Sequence, residues 1–247
     1  MKKQKTIVGF LSALAVILAA LGTLCSAVYS EAINPSLYAE KSRQAAAEAY
    51  DLADEEAVTA YIGMDEQRQS EAARVIALYM GDENTPLALD ELNEKEISHM
   101  ADVRRLIAVF GKMRTLCVTL AAGLTVVLAW VGAGLEKRHR PVIIGAVCGI
   151  GATALVGAVG FAMMNSSGFE TLFVGMHKLL FTNENWLLNP ATDILIRMMP
   201  QTLFERALSE VLGQFARAFV LALVLMAAVY AVVSGMIFRQ LTEEKKA

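Results

Sequence analysis

Four stretches of this chain contain no Asp, Glu, Lys or Arg at all: residues 7–29, 115–135, 141–167 and 218–238. About 20 consecutive apolar residues cross the hydrocarbon core of a bilayer as a helix. In lipid a spanning segment has to satisfy its own backbone hydrogen bonds, which a helix does. Each run is rich in Ala, Leu, Val and Gly, the small and apolar residues that let membrane helices pack closely. With 55% hydrophobic residues and a mean hydropathy of +0.46, the chain is too apolar for an ordinary soluble domain. The expected fold class is a mainly all-α polytopic membrane protein, with four transmembrane helices and a small extracytoplasmic cap.

The first run admits two readings. Lys2, Lys3 and Lys5 before it suit either a cleaved signal peptide or a retained helix. Its length exceeds the usual signal core of about 7–15 residues, so a retained helix is expected. A lipoprotein signal is disfavoured, because Leu24 precedes Cys25 where a small residue would be needed.

Basic residues in short loops set orientation. Lys2, Lys3 and Lys5 precede the first run, Lys137, Arg138 and Arg140 join the second and third, and Arg239, Lys245 and Lys246 follow the fourth. All three sets fall on one side. The expected arrangement has residues 1–6, 136–140 and 239–247 in the cytoplasm, and segments 30–114 and 168–217 outside. The first outer segment is acidic, with Asp54-Glu55-Glu56, which argues against nucleic acid as a partner. Cys25, Cys117 and Cys148 all lie inside the apolar runs, so neither a disulfide framework nor a CxxC metal pattern is present. They read as small buried hydrophobes.

The first outer segment reads as helical. Ala45-Ala46-Ala47-Glu48-Ala49 favours helix, and Ile62-Gly63 and Gly81-Asp82 mark breaks. Between them Ala72, Val75, Ile76 and Tyr79 share a face at the 3.6-residue period. Residues 85–89 are expected as a short extended piece. Asn93, with Glu96 three residues on, looks like a helix start of the capping-box kind. On the helix that follows, Glu96, His99 and Asp102 recur at i, i+3 and i+6, along one side. In the second outer segment Asn189-Pro190 marks a turn and Met199-Pro200 another. Residues 202–217, with Phe204, Leu208, Val211 and Leu212 on one face, are either an interfacial helix or the outer end of the last span.

Chemistry concentrates on three histidines. His139, within Lys137-Arg138-His139-Arg140, reads as part of a positive-inside loop. His99 ends the first outer segment and His177 begins the second, so both are expected near one membrane boundary on one side. A lone histidine is more often structural than catalytic. Two of them delivered to one interface, each with acids nearby, suit proton transfer near neutral pH. Asp102 is a candidate to orient His99, and Asp193 or Glu184 to orient His177. Asn183, Asn185 and Asn189 are candidate hydrogen-bond donors to an oxyanion. No G-x-S-x-G is present, and Ser98 and His99, as helix neighbours, point apart. A metal site built from His99, His177, Glu96 and Asp102 is a rival, although neither H-E-x-x-H nor H-x-x-x-H spacing occurs. Phe169, Phe173, Phe181, Trp186 and Phe204 cluster in the second segment, as an aromatic interfacial belt or as a wall for an acyl chain or glyceryl group.

Two blocks, Glu96-Ile-Ser-His99-Met-Ala-Asp102-Val and His177-Lys-Leu-Leu-Phe-Thr-Asn183-Glu-Asn-Trp186-Leu-Leu-Asn189-Pro190-Ala-Thr-Asp193, resemble the lipoprotein intramolecular transacylase family of Gram-positive bacteria. The likeness covers the whole topology, is sharp at these blocks and is general over residues 38–90. It implies an enzyme with four transmembrane helices and an extracytoplasmic cap. It also implies an activity that moves the sn-2 acyl chain of an S-diacylglyceryl-cysteine lipoprotein onto the cysteine's α-amino group, giving a lyso-form lipoprotein. The catalytic pair it implies is His99 and His177. Glu96, Asp102, Asn183, Trp186, Asn189 and Asp193 would support them, and Phe173, Phe181 and Trp186 would form a lipid wall. Implied partners are diacylglyceryl-modified lipoproteins of the outer leaflet and membrane lipid, with no cofactor or metal. The alternatives are a metal-dependent intramembrane hydrolase, a non-catalytic module binding lipid or protein through its acidic cap, and a family relative with a changed substrate.

Overall fold

The computed structural model describes residues 2–133 and 139–244. Lys137 and Arg138 of the expected cytoplasmic loop, and Lys245 and Lys246 of the tail, lie outside the described residues. Regular structure among the described residues is helical throughout: α1 (Lys2–Ala32), α2 (Pro35–Tyr38), α3 (Glu40–Ala49), α4 (Glu55–Ile62), α5 (Glu66–Gly81), α6 (Glu94–Ala133), α7 (His139–Leu180), α8 (Ile194–Met198) and α9 (Gln201–Glu244). Helices α1, α6, α7 and α9 each carry a segment long and apolar enough to cross a membrane. The protein is a multi-pass membrane protein.

Two compact units divide the chain. The first comprises Met1–Ser26, Lys112–Ala162 and Gln214–Ala247, and holds the apolar parts of the four long helices. Within it, α1 and α7 approach backbone to backbone. A Cβ at Gly145 would overlap the carbonyl of Gly9, and one at Gly149 would press on the carbonyl of Ala13. Glycine is what such an approach requires in a membrane, where close packing replaces the hydrophobic effect between helices. The Ser12 hydroxyl donates to the Val142 carbonyl at 2.8 Å across the same contact.

The second unit comprises Ala27–Gly111 and Met163–Gly213. Its core joins α2, α3, α4, α5, α8 and the first turns of α9 around Leu37, Ile62, Ile76, Met198 and Leu203, all buried. Each such side chain contributes about 1.5–3 kcal/mol by leaving water. The helix stops are local chemistry. Asp54 caps α4 by accepting from Ala57 N at 2.9 Å, and Asp65 caps α5 by accepting from Arg68 N at 2.7 Å. Gly63 ends α4 at φ 82°, a left-handed conformation that glycine adopts without strain. The expected face of α5 is in place, with Ala72, Ile76 and Tyr79 buried and Val75 packed beside them. Short α8 is fastened to α3 by side chains reaching its carbonyls. Ser42 donates to Met198 O, and Tyr50 to Ile196 O at 3.1 Å.

Three segments outside the apolar runs take a definite form. Residues 86–89 carry no regular secondary structure, and no strand is present among the described residues to pair with them. Residues 202–217 are the start of continuous α9, not a separate interfacial helix. The opening of the His177 stretch is also helical: α7 runs to Leu180, interrupted only at Gly168 (φ 74°, ψ 157°), a conformation open essentially to glycine alone. His177 is therefore held by a helix.

Candidate active site

Helix α6 delivers His99 and α7 delivers His177, and both elements belong to the second unit over these residues. The start of α6 is locked by a reciprocal cap. Asn93 Oδ1 accepts from Glu96 N at 3.0 Å while Glu96 Oε2 accepts from Asn93 N at 2.8 Å. Glu96 is 1% exposed, and its remaining oxygen, Oε1, accepts from Leu195 N at 2.6 Å. One carboxylate thus joins the turn before His99 to α8.

A second tie runs through Asp193. Its Oδ1 accepts from Asn93 Nδ2 at 3.1 Å and from Thr192 Oγ1 at 2.9 Å, and its Oδ2 accepts from Asn189 N at 2.7 Å. Those bonds, led by the Asn189 N–H, hold the Asp193 carboxyl below the usual carboxylate range, since a carboxylate accepting several donors prefers to stay charged. A third tie joins the next face of α6 to the chain after α7. Asn183 Nδ2 donates to Asp102 Oδ2 at 2.8 Å, and Asn185 Nδ2 to Ser98 Oγ at 2.9 Å. Lys95 Nζ donates to Leu187 O, and Asp102 also pairs with Arg105.

Between these ties sit the two imidazoles. Their ring centroids are 6.0 Å apart. Phe181 stands edge-on to His99 at 5.4 Å. Phe173 and Trp186 lie 4.2 and 5.0 Å from His177. His99 and His177 are 9% and 7% exposed, and together with Phe173, Phe181 and Trp186 they line a cavity of about 490 Å³. His177 Nδ1 is 2.7 Å from the Phe173 carbonyl. A carbonyl only accepts, so Nδ1 carries the hydrogen and Nε2 keeps its lone pair. His99 Nδ1 is buried with no hydrogen-bond partner among the described residues. Burial pushes the His99 pKa down to about 4, with His177 adding to the shift and Asp102 opposing it. Burial also lowers His177, against the bond to Phe173. Both rings are neutral at pH 7.

The expected orienting pairs differ from the observed ones. Asp102 is hydrogen-bonded to Asn183 and Arg105, and its influence on His99 is through charge alone. His177 is oriented by a backbone carbonyl one turn back, not by Asp193 or Glu184. The asparagines hold the loop: Asn183 Oδ1 accepts from Asn185 N at 2.9 Å and Asn189 Oδ1 from Ala191 N at 3.0 Å. Among the described residues, no three His, Cys, Asp or Glu side chains gather in a way that would hold a metal ion. Glu170, which no sequence motif singles out, also lines the cavity. Its spacing of three and seven residues before Phe173 and His177 was the available signal, since those offsets share a helix face.

Four membrane-crossing helices, and a histidine pair on a largely apolar cavity in the second unit, define a polytopic membrane protein with a candidate acid–base centre. The family model for lipoprotein intramolecular transacylase Lit matches residues 10–204, and the chain belongs to that family. It is accordingly an acyltransferase. A solved structure of the membrane integral lipoprotein intramolecular transacylase Lit from Bacillus cereus superposes with a TM-score of 0.66 at 16% identity, covering 93% of this chain and 97% of that one. A structure of the same Bacillus cereus protein with a histidine-to-alanine mutation gives 0.62 at 17% identity, covering 92% and 94%. At these identities the likeness is one of fold. No curated protein is significantly similar in sequence.

Proposed function

We propose that the protein moves the sn-2 acyl chain of an S-diacylglyceryl-cysteine lipoprotein to the cysteine's α-amino group, with His99 and His177 as the catalytic pair. The observation that carries this reading is the juxtaposition of two buried, neutral imidazoles, 6.0 Å apart between centroids, on an aromatic-walled cavity. The amine nitrogen attacks the ester carbonyl carbon, and His177 Nε2 takes the proton that nitrogen sheds. Collapse of the tetrahedral intermediate breaks the acyl C–O bond, and the His177 imidazolium returns the proton to the departing glyceryl oxygen. An ester becomes an amide and a free hydroxyl, with no external acid, base or acyl-enzyme.

His99 stays neutral, because burial holds its pKa at about 4. Its role is then to polarise the ester and hydrogen-bond the developing oxyanion rather than to act as an imidazolium acid. The unpartnered Nδ1 supports a substrate contact. A buried polar nitrogen left alone costs about 1–3 kcal/mol, which a bound substrate atom would relieve. Glu96, Asn93, Asp193, Asn189, Asp102 and Asn183 position the two histidine helices, and Phe173, Phe181 and Trp186 receive acyl or glyceryl carbon. Holding amine and ester on one molecule supplies most of the advantage, since intramolecular attack removes the entropy of bringing reactants together.

The orientation proposed is that of the charge pattern, with both termini cytoplasmic and the histidines outside, where lipoprotein substrates of the outer leaflet are reached. On the domain boundaries, residues 30–114 and 168–217 form the outer segments. The test is expression in a host that makes diacylated lipoproteins, followed by mass spectrometry of lipoprotein N-termini. Conversion to N-acylated, S-monoacylglyceryl termini is expected with the wild type and not with either histidine variant. Unchanged free α-amines in the wild-type strain would refute the reading.

A further inference from the structure

The inference rests on the transacylase reading and concerns the attacking group. The cavity holds two neutral imidazoles, aromatic and aliphatic walls, and one acid, Glu170. Three other acids around the histidines are committed. Glu96 takes Leu195 N and Asn93 N, Asp102 takes Asn183 and Arg105, and Asp193 takes Asn93, Asn189 and Thr192. Glu170 is exposed and forms no hydrogen bond or ion pair among the described residues.

It stands on α7 three residues before Phe173 and seven before His177, so the three share one face, with about 10 Å of helix rise from Glu170 to His177. Glu170 also lies in the first turn of the helix that resumes after Gly168, where an acid is favoured by the helix dipole. The dipole explains an acid near that position. It does not explain why this exposed carboxylate borders the histidine cavity, as well as an open hollow beside Lys178, with no ion pair among the described residues.

The substrate of this reaction offers one cation. Its diacylglyceryl group is uncharged, and its N-terminal α-amine, with a reference pKa of about 7.7–8.0, is largely protonated at neutral pH. We infer that Glu170 is a specificity-determining residue that receives the α-ammonium of the lipoprotein's N-terminal cysteine at the cavity rim. The thioether-linked glyceryl group then extends along the α7 face towards Phe173 and His177. Once the ammonium loses its proton to water, the carboxylate holds the neutral amine less strongly and the nitrogen is free to move to the ester. Glu170 thereby distinguishes a free N-terminus, which can react, from one already acylated.

The test uses the full-length protein in mixed micelles with a synthetic S-diacylglyceryl-cysteinyl peptide, and its N-acetylated counterpart as a competitive inhibitor. An exposed carboxylate–ammonium pair is worth at most a few-fold. The Glu170→Gln variant is expected to raise KM for the free-amine peptide about three- to fivefold, with kcat little changed and the inhibition constant of the N-acetyl peptide unmoved. Glu170→Asp should restore most of the loss. General damage to the cavity would weaken both peptides together and overturn the inference. So would a Glu170→Gln enzyme with the wild-type KM. Wild-type protein that leaves the free-amine peptide unconverted would instead sink the transacylase reading, and this inference with it.

Discussion

Glu96 is where a structural and a chemical role can be separated by experiment. It sits on α6 one turn before His99, 1% exposed, in a position a general acid could occupy. The geometry assigns it to holding rather than reacting. Both oxygens accept backbone N–H groups, Oε1 from Leu195 at 2.6 Å and Oε2 from Asn93 at 2.8 Å. Glu96→Ala strands the N–H of Leu195, itself 3% exposed, at about 1–3 kcal/mol, and removes half of a capping box at about 1 kcal/mol. The expected loss is about 2–4 kcal/mol, which at about 2–4 °C per kcal/mol for a chain of this size lowers the unfolding midpoint by about 5–15 °C. Glu96→Gln keeps one acceptor but turns an amide NH2 towards an N–H, so its loss is smaller, about 1–2 kcal/mol. Thermal unfolding in detergent, paired with turnover well below each midpoint, measures both quantities. Midpoints should fall in the order wild type, Gln, Ala, with turnover retained while the protein is folded. A Gln variant with an unchanged midpoint and no turnover would make the carboxylate a chemical participant and refute the argument.

Further outcomes follow from the same geometry. His99→Gln and His177→Gln should each lower turnover by about 10²–10⁴ while the protein still unfolds cooperatively; N-terminal mass spectrometry of a lipoprotein substrate reads the first and a melting curve the second. Because burial depresses both histidines, His99 to about 4, the acid limb of kcat/KM should follow the substrate amine near pH 8; a limb centred near 6.5 would contradict neutral histidines. The same shifts set the sign for stability. The unfolded chain takes up these protons near pH 6.5 before the folded one does, so this contribution is present above 6.5 and lost as pH falls towards about 4. Chemical denaturation at pH 8, 6 and 5 should show it. Trp186→Ala, which removes the ring 5.0 Å from His177, should raise KM about tenfold for a long-chain substrate and less for a short-chain one.

The membrane architecture was legible because its cause is one-dimensional: four uncharged runs leave a chain in water no way to bury them. Capping was legible for the same reason, since Asn93 and Glu96 act within one turn, and the observed reciprocal bonds are the ones their spacing expects. The meeting of His99 and His177 lies 78 residues apart in the chain, and no local period encodes it. Charge topology brings both to one membrane boundary, and the family resemblance pairs them as catalytic residues. Partners of single side chains were the least legible. Asp102 faces Asn183 rather than His99, and His177 uses a carbonyl of its own helix, because such choices depend on ångström-scale placement that spacing does not carry. Glu170 is not legible in sequence, because an isolated acid after a glycine reads as a solvated helix start and only the fold brings it to the cavity edge.

The polar residues around the histidines divide by whether they already have partners. Glu96, Asp102, Asn183, Asn185, Asn189 and Asp193 are all hydrogen-bonded within the protein, and together they join the start of α6 to the chain that follows α7. That is a positioning job. The two histidines come from separate helices, and a displacement of about 1 Å is enough to cost a hundredfold in rate. Among the described groups that line the cavity, those left with capacity include the lone pair on His177 Nε2, the orphaned His99 Nδ1 and the Glu170 carboxylate. An amine that must lose a proton, an ester carbonyl that must be polarised and an ammonium that must be recognised supply one counterpart for each.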